Sequence, residues 1–204
     1  GTVIRDNYIV VGTNMALLGN GIYGVQVQFS RDFVVGGPSA SDGNVIGVCS
    51  NDGVAISSSS NGMVRRNYIG VAPSGSVISN ADSGVYLGLC FYVDVSLNTI
   101  SASGQYGVDM ASSSHNILRW NMIGTDPFGT MDLGNKQDGI SITGPSVSNS
   151  IGPADGSGGN IISGNEGEGI EMNGSEVQYT TISGNRIGTD TTGLLPLGNG
   201  SDGI

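Results

Sequence analysis

Positive charge is scarce in this chain of 204 residues: seven Lys and Arg stand against seventeen Asp and Glu, a formal net charge of −10. Nucleic-acid binding needs clustered cations against the phosphates, so that class is excluded. Cysteine is scarce as well, and two residues are too few for a disulfide framework. No apolar run approaches the roughly 20 residues that span a bilayer as a helix. No leader segment opens the chain, but it begins and ends inside a repeat. It therefore reads as a segment of a longer protein, and the missing leader says nothing about secretion. There is one histidine, no Ser/His/Asp arrangement, no Cys-x-x-Cys and no phosphate-cradling loop, because the Gly-x-Gly pairs precede no helix. Helical spacing is absent too, since Gly, Ser and Asn interrupt every window in which it could develop.

What the chain does have is repetition. Residues 121–140 (NMIGTDPFGTMDLGNKQDGI) and 185–204 (NRIGTDTTGLLPLGNGSDGI) share twelve of twenty positions without a gap. An Asn-x-Ile anchor recurs at Asn7, Asn44, Asn67, Asn98, Asn121, Asn160 and Asn185. Each is followed by a Gly ahead of an apolar residue: Gly24, Gly53, Gly84, Gly107, Gly139, Gly169 and Gly203. The spacing from Asn to Gly alternates strictly between seventeen or eighteen residues and nine, so long and short units take turns. Such a period fixes the architecture before any other reading.

After each Gly comes an in-out-in couplet: Val25/Val27, Val54/Ile56, Val85/Leu87, Val108/Met110, Ile140/Ile142 and Ile170/Met172. Period-two alternation marks a strand with one buried face. A second apolar position lies three before the Asn, and the third is the Ile two after it. Strands this short bury nothing alone and must stack on the next unit. Three strands in about 29 residues, stacked at ~4.8 Å, make a parallel β-solenoid of about seven coils with alternating long and short loops. We expect one β-helix over residues 1–204, uncapped at both ends. Asn at the corner suits a left-handed φ, and its amide can bond the Asn of the coils above and below as a ladder. Two insertions, residues 36–43 and 152–159, read as protruding turns before a short unit's Asn.

The segments IGTDPFGTMDLGN, IGTDTTGLLPLGN, NIISGNEGEGI and GGPSASDGNVIG resemble bacterial right-handed parallel β-helix repeat proteins of the pectin-lyase-like superfamily. The resemblance covers the whole chain. It implies the right-handed coil, an extracellular or cell-surface location, and a substrate groove along the outward face of the first strand. The outward residues there are Gln26, Ala55, Tyr86, Asp109, Ser141 and Glu171. Asp109 and Glu171 lie two coils apart, about 9.6 Å between backbones, near the range that inverting glycosidases use. Tyr86 can stack on a sugar face. Against catalysis, the family's hydrolases carry clustered aspartates, a groove His and a basic residue, and its lyases calcium-binding acids and an Arg base. This face has no Arg or Lys, and Asp109 stands alone on its coil, as a solvated surface acid does.

Asp138, Glu168 and Asp202, each just before the anchoring Gly, fall on consecutive coils. Stacked carboxylates can hold calcium; the plainer reading, which also covers Asp52, Asp126 and Asp190, is that they accept backbone N–H bonds in Gly-rich turns. Otherwise no cofactor is implied. Arg5, Arg65 and Arg119 form a row on the second-strand face, either along an anionic glycan or balancing carboxylates. His115 has no partner at ligand spacing. Trp120 is a sugar platform or a shelter for its neighbours. Cys49 falls in a column of Asn20, Asn80, Asn135, Asn165 and Asn199, and Cys90 in a column of Ser30, Ser59, Ser113 and Ser175, so the two are free thiols at different corners. The sequence expectation is a non-catalytic structural or adhesive segment contacting polysaccharide. The alternatives are a polysaccharide lyase or glycoside hydrolase and, from the open ends, a fibre or spike assembly module that pairs end to end.

Overall fold

The computed structural model describes residues 1–14, 16–19, 21–153 and 158–204. Asn20 and residues 154–157 of the second insertion lie outside the described residues. The chain winds as a right-handed parallel β-helix with three sheets. The first sheet holds six strands, Val25–Gln28, Val54–Ser57, Val85–Gly88, Val108–Ala111, Ile140–Thr143 and Ile170–Asn173. The second and third hold seven each, running from Val3–Ile4 to Thr181–Ile182 and from Tyr8–Ile9 to Arg186–Ile187. Every pairing is parallel and in register with the repeat, so Gln26, Ala55, Tyr86, Asp109, Ser141 and Glu171 form one outward column.

The inward positions stack into one apolar column. Val54, Ile56, Val85, Leu87, Val108, Met110, Ile140 and Ile142 are fully buried from the first sheet, with Val64, Val95, Leu118 and Ile151 from the second and Ile69, Ile100, Ile123 and Ile162 from the third. Each such side chain contributes about 1.5–3 kcal/mol of burial. The Gly before each first strand is a packing requirement. A Cβ on Gly84 would lie 2.3 Å from Ile100 Cγ2 and 2.8 Å from the Gly107 carbonyl. The long units close as hairpins bridged at Val11 and Leu17, Val71 and Val77, Thr125 and Asp132, and Thr189 and Pro196.

The asparagine ladder runs through all seven anchors, but for a different reason than the one expected. At five of the seven anchors the left-handed residue is the one before the Asn: Asp6, Arg66, Leu97, Trp120 and Gly184 have φ between 55° and 68°. The Asn itself is chosen for its amide. From Asn7 through to Asn185, each Nδ2 donates to the next Oδ1 at 2.9–3.0 Å. Each backbone N–H donates to that same oxygen. From Asn44 onward, the second amide proton goes to a second-strand carbonyl one coil back. Only a primary amide supplies two donors and an acceptor at once. A second ladder joins Asn135, Asn165 and Asn199 before the first strand.

Both cysteines are free and buried. Cys49 donates its backbone N–H to Asn80 Oδ1, and Cys90 to Ser113 Oγ, which places them in the two expected columns. The serine column continues through Ser146 to Val177; Ser175, assigned there from sequence, falls in the preceding turn because the chain makes an extra bend after Asn173.

Candidate functional site

The first-strand face carries a groove of about 330 Å³. Its floor is the outward column, Gln26, Ala55, Tyr86 and Asp109, and its wall is the loop rim before the strands, with Tyr23, Asn51, Asp52, Asp82 and Ser83. Asp109 is therefore not alone: Asp52 and Asp82 reach it from the two preceding coils.

Burial in this groove alters the acids. Asp52, 6% exposed, is pushed up to about 6, chiefly by burial and then by the charges of Asp82 and Asp109; the Ser83 N–H bonded to its Oδ1 at 3.1 Å opposes the shift. Asp109 is pushed up to about 6 by burial and then by Asp82. Burial likewise raises the hydroxyls of Tyr86 and Tyr106, with Asp109 the next cause for both. A Cβ on Gly88 would come within 2.5 Å of the Tyr86 hydroxyl oxygen and 2.7 Å of its Cε1, so that glycine leaves the room the Tyr86 ring occupies along its own strand.

Further along the same face a second acidic group forms. Asp138 is raised by burial, opposed by a 2.7 Å bond from the Glu168 N–H, and raised again by Glu171. Glu168 is raised by burial and by Asp138, Glu171 and Asp202. Glu171 accepts from Ser141 Oγ at 3.4 Å and Asn173 Nδ2 at 3.2 Å. Asp109 and Glu171 are separated by the coil of Ser141 and sit in these two different groups. Among the described residues no three His, Cys, Asp or Glu side chains converge as a metal-holding group, Asp138, Glu168 and Asp202 included.

The remaining sequence candidates lie elsewhere. Asp126 accepts the N–H of Thr130 and Met131, and Asp190 those of Thr192, Leu194 and Leu195, so both shape their hairpins. Arg119 pairs with Asp94 and Arg5 with Asp42, while Arg65 borders Gly36 and Ser96. The row thus balances carboxylates at two of its three positions. Trp120 stacks under the Arg119 guanidinium at 4.7 Å, and Gly158 of the second insertion sits against its indole nitrogen. His115 stacks on Tyr92 with ring centres 5.1 Å apart, at the corner after the first strand. Sequence reasoning missed Asp82, whose position two before Gly84 matches no other acid in the repeat.

The family model described as "Periplasmic copper-binding protein (NosD)" matches residues 2–151. No curated protein sequence matches. Among solved structures, a double mutant of the periplasmic alginate epimerase AlgG superposes with a TM-score of 0.54 at 19% identity, covering 74% of this chain and 36% of that one. At that identity the likeness carries the fold. Among the described residues the two cysteines and the histidine do not converge as a copper-holding group. Burial raises both thiols, Cys49 to about 11, which keeps them protonated, and both Sγ atoms donate to backbone carbonyls. The one imidazole is engaged with Tyr92, and soft copper sites need such groups converged.

Proposed function

This chain belongs to the NosD family, and from that premise we propose that it is a cell-envelope β-helix, periplasmic or secreted, that hydrolyses a neutral glycan in the first-strand groove. The observation that carries the reading is two carboxyls in one groove, Asp52 and Asp109, each pushed up to about 6. Acid–base catalysis works best with pKa values near the working pH. A glycan strand crosses the ring of Tyr86 beside Tyr23. Asp109, whose carboxylate accepts no N–H bond among the described residues, holds the proton and donates it to the glycosidic oxygen. Asp52, whose ionised form the Ser83 N–H favours, takes the proton from the attacking water. A row of acids without a Lys or Arg among the lining residues supports an uncharged substrate, and so hydrolysis over the elimination that uronate lyases perform.

The test is a panel of neutral and acidic polysaccharides scored for new reducing and unsaturated ends. We expect reducing ends from a neutral polymer, a bell-shaped pH dependence centred near 6, and a loss of 100-fold or more in both Asp52→Asn and Asp109→Asn. Unaltered cleavage in these variants would overturn the assignment. Binding without cleavage would return the groove to a non-catalytic, glycan-contacting surface, the role the sequence alone suggests.

A further inference from the structure

A second concave surface lies outside the groove, at the corner where the first strand turns into the second. It is a slot of about 460 Å³. Its floor is one coil bearing short side chains, Ser58 and Ser60, and its two walls are the coils on either side. Phe29 and Arg31 form one wall, Leu89 and Phe91 the other. The bridges Arg31 to Ser60 and Ser60 to Phe91 put these residues in register. The coils that carry the walls therefore lie about 4.8 Å on either side of the floor coil, roughly 9.6 Å apart.

The walls are costly to the fold and unexplained by it. Phe29 and Leu89 occupy left-handed φ (49° and 55°), a conformation that Ser58, Ser112 and Gly144 fill in the same column. Bulky side chains are left largely in solvent at these two positions, Phe29 84% exposed and Leu89 57%, and the neighbouring Phe91 is 44% exposed. Arg31 makes no ion pair among the described residues, although acids outnumber bases more than two to one in the chain. The Ser58 and Ser60 hydroxyls have no partner there either.

We propose that this slot binds a carboxylate-bearing pyranose, a uronic acid residue of a glycan. Its apolar ring faces pack between Phe29 on one side and Leu89 and Phe91 on the other. The hydroxyl rim bonds Ser58 and Ser60, and the carboxylate pairs with the Arg31 guanidinium. An aromatic acid would match the walls and the arginine but leave the serine floor unbonded, which favours the sugar. The site is independent of the groove and of the hydrolysis assigned to it.

Titration of the whole chain with methyl glucuronoside, methyl glucoside and benzoate, followed by backbone amide NMR, tests the proposal. The glucuronoside should shift amides at 29–31, 58–60 and 89–91. Methyl glucoside and the Arg31→Gln variant should each bind about tenfold more weakly, the equivalent of one charge-assisted contact. Phe29→Ala should weaken binding while leaving the amide spectrum elsewhere unchanged, and Asp109→Asn should leave it intact. No shifts in the slot, equal affinity for Arg31→Gln, or tighter binding of benzoate than of glucuronoside would each overturn it. Failure here leaves the groove reading standing, because that reading is scored by cleavage and by Asp52 and Asp109.

Discussion

At the scale of single residues, the chain places polar groups where ordinary surfaces would not, and each has a cost that can be measured. Asp109 is the clearest case. Its folded value of about 6 lies above the ordinary 3.8, so the folded state holds the proton more tightly. The associated stability is present below about pH 3.8 and is lost as pH rises through about 6. Asp109→Asn should therefore melt with wild type at pH 4 and above it at pH 8, by about 1–2 kcal/mol once residual solvation is allowed for. Thermal melts at both pH values check this, and equal melting at pH 8 would contradict it. Asn121 is the opposite case. It is buried, donates to Asn160 and to the Val95 carbonyl, and accepts from both nitrogens of Asn98. Asn121→Ala strands those partners and should cost at least about 2–3 kcal/mol in urea unfolding.

At the scale of the element, a coil is three short strands and the corners that let them close. The Gly before each first strand was visible as an anchor, but nothing in a one-dimensional pattern shows which atom it avoids. Its Cβ would enter the third-strand Ile of the same coil stack and the carbonyl of the next Gly. Gly107→Ala should thus cost about 1–3 kcal/mol through overpacking. Gly198, which has open space around it and no left-handed φ, serves as the control: Gly198→Ala should be neutral or slightly stabilising. Denaturant midpoints of the two variants give the comparison, and equal costs would refute the packing account.

At the scale of the whole molecule, stacking makes one edge of the solenoid acidic from Asp52 onward. Asp52, Asp82, Asp109, Asp138, Glu168, Glu171 and Asp202 follow the first-strand face in chain order, and the charges that shift one are those of others in the row, within one or two coils of it. Mutual repulsion along such a row is screened within about 8–10 Å at physiological ionic strength. Raising sodium chloride from about 10 to about 200 mM, which shortens the screening length from ~30 to ~7 Å, should raise the melting temperature at pH 8 and leave it nearly unchanged at pH 4. A salt response of the same size at both would point away from the acidic row.

The sequence by itself determined the coil. Strands, their inward residues, the two asparagine columns and the long–short alternation all follow from a period, because every coil meets the same neighbours and repeats the same solution. Even there it misread a cause: the residue ahead of the ladder Asn, such as Leu97 or Trp120, takes the left-handed corner, and the Asn answers to its hydrogen bonds. What only the tertiary structure decided is which non-repeating residues meet. Asp52, Asp82 and Asp109 come from three coils and match no common motif, and Phe29, Arg31, Leu89 and Phe91 become walls only because serines stand between them. A solenoid brings residues about thirty positions apart to one strand spacing. Its function is therefore written in differences between coils, which no repeat pattern records.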